Sequence, residues 1–229
     1  MKLINIEEDI PEVFYIFVGQ GRNSSSKANY HNYKLTNRII SSGFNSIITD
    51  NEKIVDFING DINYAPYLPT KTTLAVPSSH CLGVVNGYTL EYELERYRYN
   101  NFKTFPSRFS CVFAFGDFES CELASKYYNW DLSKVKKFKI HDFCKDGLEL
   151  LNKATKVCKC NMEIVTYMWN NDLCFLPVAE REKIFEYYWK CKGAVGIKTT
   201  DIETGHTITS NSRVLNEYLI EGVLEEILE

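Results

Sequence analysis

Leu215-Asn216-Glu217-Tyr218-Leu219-Ile220 sets one carboxylate inside a short apolar stretch near the end of the chain. The pattern carries on from Val223 to Leu228, so the tail reads as final strands, or as one strand with a short terminal segment. Two segments further out share this character. Val13-Phe14-Tyr15-Ile16-Phe17-Val18 is rich in β-branched and aromatic residues and stops at the polar loop Gly19-Gln20-Gly21-Arg22-Asn23-Ser24-Ser25-Ser26, a buried strand opening into a turn. Ser107-Arg108-Phe109-Ser110-Cys111-Val112-Phe113-Ala114-Phe115 reads as a strand with aromatics at period two. Gly116-Asp117 breaks it, and Phe118 to Asn129 follows as a helix packing back on it.

Around these three segments, Lys34 to Ser41 and Glu52 to Ile58 read as helical, and Leu90 to Phe102 as a helix stopped before Pro106. Val135 to Ile140 alternates like a half-exposed strand; Lys145 to Thr155 and Ala179 to Lys192 read as helices, and Thr207 to Thr209 as a strand. Asp61 to Val85 contains Pro66, Pro69 and Pro77 and reads as irregular connection. Strands and helices mix without regular βαβ alternation, which predicts an α+β fold. One domain over 1–229 is expected, with a helical or irregular insertion at about 30–105.

The 26 basic and 30 acidic residues leave a net charge of −4, which excludes a global electrostatic attraction to nucleic acid but not a local basic groove. No apolar run approaches the roughly 20 residues of a membrane helix. The start, Met1-Lys2-Leu3-Ile4-Asn5-Ile6-Glu7-Glu8-Asp9, turns acidic where a secretory core should be, so a cytoplasmic protein is expected. Its eight cysteines are then expected as reduced thiols. His141-x-x-Cys144 with Cys158-x-Cys160 is the nearest approach to a metal pattern, but the second pair is tighter than structural zinc spacing. No P-loop, complete dinucleotide fingerprint, nucleophile elbow or H-E-x-x-H motif is present.

The three apolar segments together resemble the ADP-ribosyltransferase superfamily. Asn216-Glu217-Tyr218 before a short strand is similar to the catalytic-glutamate segment of the poly-ADP-ribose polymerase branch. Phe113, Phe115 and Asp117, with a helix of small residues behind them, are similar to that branch's Tyr-Phe-(small)-Asp segment. Pro106-Ser107-Arg108-x-Ser110 after a charged helix resembles a bacterial branch. The resemblance implies an ADP-ribosyltransferase-like split β-sheet with flanking helices. It implies NAD as substrate, ADP-ribose transferred to a nucleic acid or protein with release of nicotinamide, and no metal requirement. It also implies a bacterial or phage-related toxin or defence effector, restrained by an antitoxin or inhibitor protein.

The residue types suit that chemistry. Breaking the nicotinamide–ribose bond develops positive charge on the ribose, which a carboxylate beside it stabilises while orienting the acceptor. Glu217 is the expected carboxylate; its alternative reading is a solvent-facing residue on an edge strand. Tyr15, Phe113 and Phe115 are candidate walls for nicotinamide, with plain core packing as the alternative. Ser107 and Ser110 are candidate hydroxyl donors; Arg22 and Arg108 could clamp the pyrophosphate. Gly19 and Gly21 would let backbone approach the cofactor, or make an ordinary turn.

One departure stands out. The family carries a His or Arg in or just after its first strand, where this chain has Tyr15-Ile16-Phe17-Val18-Gly19. Arg22 substitutes from the loop, Tyr15 supplies a hydroxyl, or NAD affinity is lost. For the acceptor, Arg96-Tyr97-Arg98-Tyr99-Asn100-Asn101-Phe102-Lys103 and Lys134-Val135-Lys136-Lys137-Phe138-Lys139 could meet phosphates and stack bases, or could form ordinary charged faces. The rival functions are a catalytically degenerate nucleotide- or partner-binding protein of the same fold, and an unrelated interaction protein.

Overall fold

A computed structural model describes residues 2–18, 37–49, 51–62, 88–170, 176–192, 198–200, 207–209 and 214–228. It is mixed α+β, with two small antiparallel sheets and several helices. In the first sheet β1 (Phe14–Phe17) pairs with β4 (Val135–Ile140), β4 with β9 (Val223–Glu226), and β9 with β2 (Arg38–Ile40). In the second, β8 (Asn216–Glu221) lies between β3 (Val112–Ala114) and β5 (Lys156–Asn161). β6 (Lys198–Thr200) and β7 (Thr207–Thr209) form a separate ladder.

Two connections tie the sheets together. A pair of 2.8 Å backbone hydrogen bonds joins Tyr15 of β1 to Phe115, just past β3. The other is covalent, because β8 leaves its sheet at Gly222 and re-emerges as β9 in the first. A Cβ on Gly222 would lie 2.8 Å from Thr155 Cγ2, so the crossing needs a residue without a side chain. The three sequence segments that pointed to the fold are thus neighbours: β1 adjoins the end of β3, and β3 pairs with β8 through Val112–Ile220, Phe113–Leu219 and Ala114–Tyr218.

Side chains alternate across each strand, which sorts the core by face. From β8, Tyr218 and Ile220 join Phe14, Ile16, Phe138, Val112 and Val157 in a cluster fed by both sheets. Leu219 points the other way, into a cluster built with helices α3 (Tyr88–Asn101), α6 (Met162–Asn170) and α7 (Val178–Trp189). A third cluster gathers Phe44 and Ile47 of α1 (Ser42–Thr49), Ile54 and Phe57 of α2 (Ile54–Ile58), and Ala154 of α5 (Glu149–Ala154). α4 (Phe118–Tyr128) starts at Asp117, whose carboxylate caps the Ser120 N–H at 2.7 Å, and it ends at Asn129 in the left-handed region.

Two elements depart from expectation. Lys34 to Ser41 was expected to be helical, but 38–40 form an edge strand, where Arg38 pairs with Glu225 at 2.7 Å across the ladder; 34–36 lie outside the described residues. The strand expected from Ser107 to Phe115 shrinks to 112–114, because the carbonyl of Ser107 accepts from the N–H groups of Ser110 (3.1 Å) and Cys111 (2.9 Å) and curls 107–111 into a turn. Gly19, Gly21, Arg22 and most of Asp61 to Val85 also lie outside the described residues. Among the described residues no helix is long and apolar enough to cross a membrane.

Candidate functional site

Glu217 is the second residue of β8, on the same face as Leu219 and Glu221, so its carboxylate enters the layer beneath α3 and α7. Only 6% of the residue is exposed. Oε1 of Glu217 accepts from Arg108 Nη1 at 2.8 Å and from the Tyr188 hydroxyl at 2.9 Å. Both hydrogen bonds it receives among the described residues fall on that one oxygen.

Arg108 is the hub. It comes from the 107–111 turn and meets Glu91 of α3 through both arms of its fork, Nε at 2.9 Å and Nη2 at 3.1 Å. Nη1 also contacts the Tyr188 hydroxyl, and the guanidinium lies 5.0 Å from the ring centroids of both Phe113 and Tyr188. Burial works against its charge, but Glu91, Tyr188 and Glu217 outweigh that and hold its pKa well above the usual arginine value. Burial pushes the Tyr188 phenol well up, so this hydroxyl is a neutral donor to Glu217. A planar five-donor cation is the side chain that can serve two carboxylates and two aromatic faces at once.

Four residues along β8 lies a second buried carboxylate. Glu221 Oε1 accepts from Ser110 Oγ at 2.6 Å and from the Ser107 N–H at 3.2 Å. Lys156 of β5, opposite Glu221 in the strand pairing, brings Nζ to 3.7 Å from Oε2 and to 3.8 Å from the Phe57 ring centroid. Burial lowers the Lys156 pKa against the pull of Glu221.

The expected site residues therefore divide. Glu217, Arg108 and Phe113 come together. Ser107 and Ser110 serve Glu221 rather than Glu217. Phe115 packs with Phe17, Cys121, Ala124 and Leu215, and Tyr15 leans on Phe118 at 5.9 Å, both away from the Arg108 hub. Gly19 and Arg22 lie outside the described residues.

Arg98, expected as a phosphate contact, is fully buried: it bonds Glu95 and the carbonyls of Phe102, Lys103 and Phe105 and so closes the end of α3. Arg96, Lys136, Lys137 and Lys139 are exposed. His141 lies between Glu225 (3.0 Å) and Asp146 (2.7 Å), whereas Cys158 and Cys160 lie in the core with their Sγ atoms 3.5 Å apart.

Glu91 and Tyr188 were missed from the sequence. Glu91, Leu94 and Arg98 occupy one helical face, and charged residues at two of three buried positions were the signal available. Tyr188, inside Tyr187-Tyr188-Trp189, carries no such mark. No protein-family model matches the chain, nor does any curated protein.

Proposed function

We propose that this protein transfers ADP-ribose from NAD to a macromolecular acceptor, with Glu217 as the carboxylate that stabilises the reaction centre. The observation that supports this reading best is the place of Glu217. It sits on the strand that pairs with β3, whose following residue binds β1, so the three segments carrying the resemblance share one neighbourhood. Its Oε1 is fixed by Arg108 and Tyr188. Because Arg108 is shared with Glu91, the charge of Glu217 is only partly offset.

In the proposed step the bond between the ribose anomeric carbon and the nicotinamide nitrogen breaks, and the bonding pair leaves with neutral nicotinamide. The ribose becomes oxocarbenium-like and Glu217 opposes its charge. The acceptor nucleophile then bonds the anomeric carbon and gives its proton to the carboxylate. Glu91 and Tyr188 act through Arg108 and Glu217 as positioning residues. A role as a bacterial or phage-related toxin or defence effector, in the cytoplasm and held by an inhibitor, rests on the resemblance alone.

A second reading has an observation of its own. The face of β8 that carries Glu217 is covered by α3 and α7, and a carboxylate shared by an arginine and a tyrosine also suits a structural polar core. On that reading the chain binds a nucleotide or a partner without transferring anything. Incubation with labelled NAD and cell lysate separates the two. Label on a macromolecule supports transfer; a rise in thermal midpoint with NAD but no label supports the binder; neither effect removes NAD from the account.

A further inference from the structure

Arg108 reaches Glu217 from the turn 107–111, yet both serines of that turn are bound to another residue of the same strand. Glu221 holds Ser107 by its backbone N–H and Ser110 by its hydroxyl, so one carboxylate grips the turn on both sides of Arg108. The grip is enclosed. A Cβ on Gly43 would stand 3.0 Å from Ser110 Oγ and 3.2 Å from Glu221 Oε1, and the Gly43 N–H reaches the Ser110 carbonyl at 3.4 Å. Glu221 is 1% exposed and Lys156 4%. Among the described residues Lys156 Nζ and Glu221 Oε2 make no hydrogen bond, so Lys156 offsets the buried charge from 3.7 Å while the work on the turn falls to Oε1.

We infer that Glu221 is a positioning residue: by stapling Ser107 and Ser110 to β8, it fixes the direction in which Arg108 leaves the turn and thereby the place of the Glu217 carboxylate. Glu217 and Glu221 are four residues apart on one face, so one strand sets both ends of the arrangement. Within Ser107-Arg108-x-Ser110, Ser110 donates its hydroxyl to Glu221, Ser107 donates its backbone N–H, and the Ser107 Oγ accepts from the Phe109 N–H at 3.2 Å, which braces the same turn. The kinetic consequence of the staple rests on the ADP-ribosyl reading; the structural consequence does not.

Removing Glu221 alone strands Lys156 in the interior, so the test uses paired changes. Glu221→Gln with Lys156→Met keeps an acceptor oxygen for both serines and removes both charges. Glu221→Leu with Lys156→Met removes the acceptor as well, and the apolar pair is tolerated where a lone buried charge is not. The readout is solvent exchange of the Arg108 Nε–H by ¹⁵N NMR, assigned with Arg108→Lys, alongside nicotinamide release from NAD. The Gln pair should exchange within about twofold of the natural protein, and the Leu pair about tenfold faster or more, the factor expected for losing one hydrogen bond in a charged network. Equal exchange in the two pairs overturns the staple. If the natural protein releases no nicotinamide while the exchange difference persists, the ADP-ribosyl reading fails and the staple stands.

Discussion

Glu217 and Arg108 meet at 2.8 Å inside the protein, with 9% and 4% of their side chains exposed, and each is tied to a different layer: Glu217 to the central strand β8, Arg108 through Glu91 to helix α3. The pair therefore joins the three-stranded sheet to the helix above it. Substitutions on its two sides should differ in their cost to stability.

Arg108→Met leaves Glu91 and Glu217 buried without their shared cation. Stranding buried charge in this way costs about 3–5 kcal/mol. Urea titration should show the midpoint fall accordingly, and a midpoint unchanged from the natural protein would mean that the two carboxylates do not depend on Arg108.

Glu163 provides a pH test away from the site. Burial raises its pKa above the usual glutamate value, opposed by the Leu215 N–H that it accepts at 3.1 Å. A raised folded-state pKa means the folded protein holds this proton more tightly than the unfolded chain. Its contribution is therefore most favourable below the unfolded pKa and is lost as pH rises through the folded one. Glu163→Gln, which keeps an acceptor for Leu215, should be relatively more stable than the natural protein at pH 7, and the advantage should shrink on acidification. Thermal melts across pH 4 to 7 measure this; an advantage that grows on acidification would reverse the sign and refute it.

Gly116, between β3 and α4, lies under the ring of Tyr218: a Cβ there would be 2.6 Å from Cε2. Gly116→Ala should cost about 1–3 kcal/mol, as overpacking of a filled interior does. Gly147→Ala, where a Cβ meets nothing within 4 Å but φ is +73°, is the comparison, since its cost is backbone strain alone. Chemical denaturation of both separates crowding from conformation, and a cost-free Gly116→Ala would deny the close approach of Tyr218.

If the acceptor is a nucleic acid, the exposed cations Arg96, Lys136, Lys137 and Lys139 are the groups left to meet its phosphates. Each genuine contact removed should flatten the slope of log affinity against log salt by about 0.7–0.9. Arg98→Ala should instead destabilise the fold, because that side chain closes the end of α3. Salt slopes unchanged after neutralising all four would clear these surfaces of any such role.

What could be read from sequence follows physical range. β1, β4, β8, α3, α4 and α7 were legible because their apolar spacing is local, and the α+β class followed from their order. β5 and α6 were not: Lys156-Val157-Cys158-Lys159-Cys160-Asn161 owes its strand to pairing with β8, whose residues Asn216 to Glu221 lie far along the chain from it. The turn at 107–111 was hidden for a similar reason, since it is held by Glu221, 111 residues beyond Ser110. Glu217 and Arg108 could be singled out one at a time, but not their pairing, nor the claim of Glu221 on both serines. Long-range hydrogen bonds leave no periodicity to read.

The most direct test of the central claim compares nicotinamide release from NAD by the natural protein and by Glu217→Gln. The amide can still accept from Arg108 and Tyr188, and Arg108 keeps Glu91, so the thermal midpoint should move by no more than about 2–4 °C. The rate should fall by about 10² or more, the usual loss on removing one electrostatic stabiliser. A variant that folds like the natural protein and releases nicotinamide just as fast would contradict the account.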